Sequence, residues 1–269
     1  LLEVVAALER DSDLDLVYSD EDVVTDARHS KPFFKPDWSP DLLLSINYLW
    51  HSVVTRRAVV QAAGGVRRGF DGAEEYDLLL RVTERTRRIG HVQKVLHRSQ
   101  RRAKSAAAGW SREQALAQRG ASRALQEALD RRGIDGRVES RRPGIHDVRY
   151  ATDRSGIVSI IIPTRDRADL LRVCISTIEG RTRYTRRELI VVDNGSTDPQ
   201  ALAYLDEVRR RHHVLTYPHA FNWSAINNFA AGQARGDFLL FLNNDIEVLD
   251  DDWLGAMVEH AGRAEVGAV

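Results

Sequence analysis

The feature that most constrains the fold is a set of three short apolar runs in the second half of the sequence, each ending abruptly in polar residues. The runs are Ile160–Ile162, Leu189–Val192 and Leu239–Leu242, and they are followed by Pro163-Thr164-Arg165, Asp193-Asn194 and Asn243-Asn244-Asp245. Continuous apolar runs of this length are typical of strands buried on both faces of a parallel sheet. Because the carboxyl ends of such strands open into a ligand crevice, we expect these polar residues to share one edge of a sheet.

Helix-forming segments separate the apolar runs and extend the pattern. Strands and helices are predicted in alternation at Ile157–Ile162, Leu170–Glu179, Glu188–Asp193, Pro199–Arg211, His213–Tyr217, Ser224–Ala234, Asp237–Leu242 and Trp253–Ala261. Such alternation predicts an α/β fold with a mostly parallel, doubly wound sheet. Nicotinamide-dependent oxidoreductases share that architecture, but their first strand normally leads into a Gly-x-Gly-x-x-Gly turn. Since Pro163-Thr164-Arg165-Asp166 stands in that place, a nicotinamide enzyme is disfavoured.

The first 150 residues predict a less regular mixture of elements. We expect helices at Leu1–Glu9, Asp41–Tyr48, Arg57–Ala63 and from Ser111, and strands at Leu14–Tyr18, Trp50–Thr55, His91–His97, Arg137–Ser140 and around Val148–Tyr150. Asp20-Glu21-Asp22 is predicted to be an acidic turn, either solvated or part of a metal site. The proline-rich segment Lys31–Asp41 is predicted to be a structured loop because proline excludes regular helix and central strand.

Four motifs of the second half occur together in a specific order and spacing. They are Ile161–Arg165, Val192–Asp198, Phe221–Asn228 and Leu242–Asp245. This arrangement resembles family 2 glycosyltransferases, enzymes of the GT-A fold that take a sugar from a nucleoside diphosphate donor. The segments Tyr18–Asp22, Phe34–Asp41 and Gly72–Leu78 are similar to the later half of the same kind of domain.

The two resemblances imply a chain built from parts of two modules. Residues 1–104 would be the acceptor-side, carboxy-terminal half of a first glycosyltransferase module, and residues 105–154 a helical connector that begins with a small-residue stretch at 105–109. Residues 155–269 would be the nucleotide-sugar-binding, amino-terminal half of a second module, truncated here. The resemblance therefore implies a tandem protein of O-antigen or polysaccharide biosynthesis.

The resemblance also implies a donor site at the predicted sheet edge. Without a glycine-rich phosphate cradle, a divalent cation (Mg or Mn) would neutralise the donor's diphosphate, and Asp245 is the expected ligand. Family members generally have Asp-x-Asp where this chain has Asn243-Asn244-Asp245, so Asn243 would offer an amide oxygen to the cation or the ribose. The remaining expected nucleotide-sugar contacts are Pro163, Thr164, Arg165, Asp193, Asn194 and Asn222. The alternative is that these residues only form turns, as Asp and Asn commonly do.

The candidate catalytic carboxylates lie in the first half, in Glu74-Glu75-Tyr76-Asp77. Transfer with inversion needs a carboxylate that takes the proton of the acceptor hydroxyl, and the first turn of a helix holds such a group ionised. The resemblance places the base at Glu75, with Asp77 beside it, although the family's usual residue at this position is Asp. The alternative is that Glu74, Glu75 and Asp77 only cap a helix. The resemblance further suggests His51 near the sugar and His97 near the metal.

Composition limits the remaining classes of function. The formal net charge is zero, which gives no reason to expect a nucleic-acid partner. Cys174 is the single cysteine, so disulfides within the chain are excluded, and its apolar neighbours predict a buried side chain. No apolar run approaches the length of a membrane span. We therefore expect a cytoplasmic location, with association of a longer protein with the inner membrane face left open.

Together the motifs, the resemblance and the composition predict a glycosyltransferase that uses a nucleoside diphosphate sugar and a glycan acceptor. The role given to Glu75 implies that the enzyme inverts the configuration at the anomeric carbon. Because Glu75 and Asp245 fall in different predicted modules, the chain alone is expected to be inactive unless its two halves pair as one domain. A non-catalytic nucleotide-sugar-binding or scaffold module is the alternative.

Overall fold

The computed structural model describes residues 1–26, 29–100, 111–153 and 155–269. The chain divides into two compact units, Leu1–Tyr150 and Ala151–Val269. The small-residue stretch predicted at 105–109 lies outside the described residues.

The first unit is built around one long strand. Its elements are α1 (Leu2–Arg10), β1 (Leu16–Asp26), β2 (His29–Phe33), α2 (Pro40–Ser45), β3 (Val53–Thr55), α3 (Arg57–Ala62), α4 (Glu74–Thr83), β4 (Ile89–Gln100), α5 (Arg112–Arg131), β5 (Gly136–Arg142) and β6 (Ile145–Tyr150). β1 pairs antiparallel with β2 and β3 and parallel with β4, and β5 and β6 form a separate hairpin. The central strand therefore carries hydrogen-bonding partners on both sides.

Local sequence signals explain several of these elements. Ser111 and Gln114 form the capping box that begins α5. The left-handed backbone of Gly64, with φ of 83°, follows α3, as a helix-ending glycine should. One core joins β1, α4 and α5 through Tyr18, Leu80 and Leu125. The residues predicted as a connector, where they are described, thus belong to the first unit up to Tyr150.

The acidic segment Asp20-Glu21-Asp22 corrects the sequence prediction, because it lies inside β1 and not in a turn. All three residues are buried. The strand continues through them because each carboxylate finds a cationic or imidazole partner: Asp20 contacts His91, Glu21 contacts His51 and Lys35, and Asp22 contacts Arg98. Satisfied charges of this kind can be buried where unpaired ones cannot.

Two other boundaries in the first unit differ from expectation. Residues 31–33 of the proline-rich segment belong to β2, whose position at the edge of the sheet tolerates Pro32. The strand expected over Trp50–Thr55 starts only at Val53, because residues 48–51 form a turn in which His51 has φ of 69°.

The second unit has the predicted α/β architecture. Its elements alternate as β7 (Val158–Thr164), α6 (Ala168–Gly180), β8 (Arg187–Asp193), α7 (Pro199–Arg209), β9 (His213–Thr216), α8 (Trp223–Ala231), β10 (Phe238–Phe241) and α9 (Trp253–Ala261). The sheet order is β10-β7-β8-β9 and the strands run parallel. The predicted α/β class, with a mostly parallel sheet in this part of the chain, is confirmed.

Both faces of this sheet are covered, which explains its continuous apolar strands. Ile160 and Ile162 of β7 pack with Cys174 of α6, whereas Ile161 packs on the opposite face with Ile226 of α8. Alternate residues of one strand thus enter two cores. No helix within the described ranges is long and apolar enough to cross a membrane.

Candidate functional site

The carboxyl ends of β10, β7 and β8 lie side by side, so the predicted sheet edge exists. Thr164, the last residue of β7, is paired with Asp193, the last residue of β8. The amide Nδ2 of Asn244 donates to Thr164 Oγ1 at 2.9 Å, which brings the turn after β10 to the same edge. Three strand ends therefore present polar groups together, as the apolar runs predicted.

Asp193 and Asn194 are buried and their side chains organise the turn after β8. Asp193 Oδ1 accepts from the backbone amide of Ser196 at 2.9 Å. Asn194 Nδ2 donates to the carbonyl oxygens of Tyr217 and His219, while its Oδ1 is buried without a hydrogen-bond partner among the described atoms. Leaving a buried acceptor without a donor costs free energy. The Asn194 side chain therefore has hydrogen-bonding capacity that the protein itself does not use.

Asp166 ties the β7 and β8 ends together, and sequence reasoning missed it. Its backbone amide donates to Ser196 Oγ at 3.0 Å, and its Oδ1 accepts from the amides of Thr197 and Asp198. These amide hydrogen bonds lower the pKa of the Asp166 carboxyl. The backbone of Asp166 is left-handed, with φ of 53°, a conformation that is rare outside glycine. This conformation, seen in the structure and not in the sequence, distinguishes Asp166 from its neighbours.

The other residues predicted to contact the nucleotide sugar differ in their exposure and in the hydrogen bonds that they already make. Pro163 lies within β7 and is half-buried, whereas Arg165 is exposed, with its Nε 3.7 Å from Asp166 Oδ2. Asn222 is already used as the cap of α8, since its Oδ1 accepts from the amide of Ala225 at 2.9 Å. Asn243 and Asp245 are exposed in the turn after β10.

The residues around Asp245 fit a hard cation only in part. Glu247, two residues further on, is turned toward Arg181, with 3.4 Å between Oε1 and Nη1. Across the described part of the chain, no group of three or more His, Cys, Asp or Glu side chains could hold a metal ion. Mg²⁺ is commonly held by one or two carboxylates together with substrate phosphates and water, and in an open site of that kind Asp245 and the Asn243 amide oxygen, both on exposed residues, would be the ligands from this turn.

A cleft of about 920 Å³ lies at the opposite end of the same strands, among Ile157, Arg187, His213 and neighbouring residues. Its acidic side chains are neutralised locally. Glu179 binds Arg211 and His212, and Glu188 lies near Arg235. We therefore assign the polar residues of this cleft to folding and not to the predicted chemistry.

In the first unit, Glu75 lies on the first turn of α4 and is exposed, as a general base requires. Burial lowers the pKa of the Lys35 amine, and the negative charges of Glu21, Asp20 and Glu75 oppose that lowering. The Lys35 Nζ also lies 3.7 Å from Glu21 Oε2.

Asp77 is placed differently from Glu75, because its side chain is fully buried. Its oxygens accept from Arg67 Nε at 3.1 Å and from Arg81 Nε and Nη2 at 3.0 and 2.6 Å. Burial alone would raise the pKa of Asp77, but the two guanidinium groups outweigh it and hold the pKa below its usual value. In this geometry Asp77 anchors α4 and thereby positions Glu75.

The two histidines singled out by the sequence lie together beside Glu21. The His51 Nδ1 is 3.0 Å from Glu21 Oε2, and His97 is paired with Glu21 across β1 and β4. The imidazole rings of His51 and His97 are stacked, with centroids 5.3 Å apart. The structure therefore brings Glu21, His51 and His97 into one cluster of the first unit.

Comparison with known proteins agrees with the sequence motifs. Residues 159–269 match the family model for glycosyl transferase family 2. The whole chain is 46% identical to O-antigen biosynthesis protein RfbC of Myxococcus xanthus and 40% identical to the uncharacterized protein y4gI of Sinorhizobium fredii. It spans only 21% and 30% of the lengths of these relatives.

Solved structures are matched over a smaller part of the chain. The mannosyltransferase PcManGT from Pyrobaculum calidifontis, in complex with GDP-Man and Mn²⁺, is similar over 44% of this chain and 36% of its own, with 24% identity and a TM-score of 0.38.

Proposed function

Because residues 159–269 match glycosyl transferase family 2, we propose that this chain is part of an enzyme that transfers a sugar from a nucleoside diphosphate donor to a growing glycan of the O-antigen or polysaccharide type. The observation that carries the proposal is the meeting of Thr164, Asp193 and the Asn243–Asp245 turn at one edge of a parallel sheet. Ligands of open α/β sheets bind at such edges.

The donor half of the site is assigned to the second unit. Asp193 and the unpartnered oxygen of Asn194 are the groups that would accept hydrogen bonds from a nucleobase, while Pro163, Thr164 and Arg165 would shape the pocket around it. Asn222, at the start of α8, would lie at its rim. Asp245, with Asn243, would hold a divalent cation. When bound, that cation supplies positive charge to the diphosphate leaving group.

The catalytic half is assigned to the first unit. Glu75 would take the proton from an acceptor hydroxyl as that oxygen bonds to the anomeric carbon and the bond from that carbon to the diphosphate breaks. Attack from the side opposite the leaving group inverts the configuration. The exposed first-turn position of Glu75 supports this role. The ionic contacts of the fully buried Asp77 support a positioning role for it.

The division of these groups between two units leads to a second part of the proposal. A transferase needs donor and base within reach of the same substrate, and Glu75 and Asp245 belong to separate units. We therefore propose that transfer belongs to a longer protein, and that the 269-residue chain alone binds donor with little or no transfer.

Donor binding is the direct test of the second unit. Calorimetry with a panel of nucleoside diphosphates should give binding that is weakened by EDTA and restored by Mn²⁺ or Mg²⁺. Asp245→Ala should weaken the cation-dependent binding at least about tenfold, or 1.4 kcal/mol. Glu247→Ala removes a carboxylate two residues away that already faces Arg181, and should leave binding unchanged. Equal binding by both variants would contradict the role of Asp245.

A nucleotide-sugar-binding module without catalysis is the second candidate, favoured by the amide residues that precede Asp245 in the turn. The two candidate functions can be distinguished in a longer protein that contains this chain. Glu75→Gln should lower the transfer rate by about 10²-fold or more and leave donor affinity intact if the enzyme assignment is right. Donor binding without any turnover in the unsubstituted protein would favour the binding module.

A further inference from the structure

Three aromatic rings form a parallel stack in the first unit. The Trp50 and His51 rings have centroids 4.3 Å apart and an interplanar angle of 14°. His51 in turn stacks on His97 at 5.3 Å and 13°. Trp50 ends the stack, with His51 covering one face of its indole, and 51% of the residue is exposed. A large aromatic face is therefore presented outward on a rigid support.

The turn that carries Trp50 is held in place by buried groups. The Lys35 Nζ has no exposed surface and donates to the carbonyl oxygens of Trp50 at 2.8 Å and of Leu49 at 3.1 Å. His51 has a left-handed backbone and contacts Glu21 through its imidazole. A non-glycine residue with positive φ and a buried lysine both cost free energy. Strain of this kind, supported by its surroundings, is common at ligand sites.

We propose that the outward face of Trp50 is a binding platform for a pyranose ring of the acceptor glycan. This inference rests on the proposed transfer reaction, to which it adds the place of the acceptor. A pyranose has an apolar face of C–H groups that packs on an indole, and equatorial hydroxyls that need polar partners at its rim. His51 stacks on Trp50 and contacts Glu21 through its imidazole, and the buried Lys35 holds the Trp50 carbonyl.

The position of Glu75 favours an acceptor sugar over other ligands of an exposed tryptophan. The proposed reaction requires the acceptor hydroxyl to reach Glu75, and the charge of Glu75 acts on Lys35, whose ammonium group holds the Trp50 carbonyl. The His51 imidazole, whose side chain is 32% exposed, provides a polar group next to the platform. A pyranose uses both the apolar face and its polar surroundings.

The test observes the tryptophan directly in the intact chain. The indole N–H signals of the five tryptophans are recorded by ¹⁵N NMR, and the Trp50 signal is assigned by its loss in Trp50→Phe. The probes are methyl glycosides of glucose, galactose, mannose and N-acetylglucosamine. At least one of them should shift the Trp50 signal in a saturable manner. The variants lack this signal, so their glycoside binding is measured by saturation-transfer NMR of the glycoside. Trp50→Ala should weaken that binding about tenfold, which corresponds to 1.4 kcal/mol, and Trp50→Phe should weaken it less.

Trp223→Ala is the matched control, because Trp223 is similarly exposed at 48% but lies in the second unit. It should leave glycoside binding unchanged. No response of Trp50 to any glycoside, or equal binding by Trp50→Ala, would overturn the platform. A response to nucleotide sugars but not to free glycosides would overturn the acceptor assignment. If Trp50 responds to glycosides while donor binding at Asp245 is absent, the sugar site stands and the proposed transferase fails.

Discussion

Replacing Asp77 by Asn separates a structural from a catalytic role for the carboxylate that the sequence placed beside the base. In the folded protein Asp77 is fully buried and accepts hydrogen bonds from both Arg67 and Arg81, whose side chains are 35% and 7% exposed. Removing the charge leaves the buried guanidinium of Arg81 without its anion. Breaking a buried ion pair on one side costs about 3–5 kcal/mol, and we expect Asp77→Asn to lie near the lower end because the amide retains an acceptor.

The measurement is chemical denaturation of the variant and the unsubstituted chain, followed by circular dichroism. Glu127→Gln is the matched control, because it removes the charge of the second carboxylate that pairs with Arg67. The Glu127 side chain is 36% exposed. An exposed pair contributes at most about 1 kcal/mol. The large loss should therefore appear only when the buried partner is changed.

The pH dependence of the same variant has a definite sign. The folded-state pKa of Asp77 is lowered, so its stabilisation is fully present above the unfolded value of about 3.9 and is lost as the pH falls through the folded value. The stability difference between the two proteins should be constant near neutrality and shrink below about pH 4. If Asp77→Asn unfolds like the unsubstituted chain but, when made in the longer protein, abolishes transfer with normal donor binding, Asp77 is catalytic and our reasoning is wrong.

Three further outcomes follow from local geometry. Gly72→Ala should destabilise the chain more than Gly65→Ala by about 1–3 kcal/mol. Both glycines have positive φ, but only at Gly72 would a new Cβ meet Ala117, at 2.9 Å. Equal losses of stability in paired denaturation curves would show that this contact is unimportant. Asparagine tolerates a left-handed backbone, so His51→Asn should keep the free energy of unfolding within about 1 kcal/mol of the parent. It should weaken the glycoside response of Trp50 several-fold, and an unchanged titration would argue against the role of the stack. Burial raises the pKa of Cys174 to about 11, so iodoacetamide at pH 8 should modify it only after unfolding, and rapid labelling of the native chain would contradict its burial.

Sequence reasoning succeeded where the signal is local. The apolar runs ending at Thr164 and Asp193 predicted β7 and β8 because strands covered on both faces need apolar residues throughout. Ser111 predicted the start of α5 because a capping box is made within four residues. In each case the residues that decide the conformation are close together in the chain.

It failed where the deciding partner is distant in sequence. The carboxylates Asp20 and Asp22 were predicted to lie in a turn, and their place in β1 depends on His91 and Arg98, some 70 residues away. A charged residue has the same appearance in a sequence whether or not a partner will neutralise it, so its burial could not be predicted.

The two acidic segments that come after apolar runs in the sequence are therefore physically different. In β1, Asp20 and Asp22 are buried and already engaged by His91 and Arg98, so in this conformation a cation at these carboxylates would have to displace existing partners. In the second unit Asp245 is exposed, and its neighbour Asn244 reaches Thr164. Desolvated, paired carboxylates resist new ligands, whereas an exposed one offers its oxygens at little cost. This contrast is the physical reason why the proposed cation is assigned to the turn after β10, although the first unit holds more carboxylates.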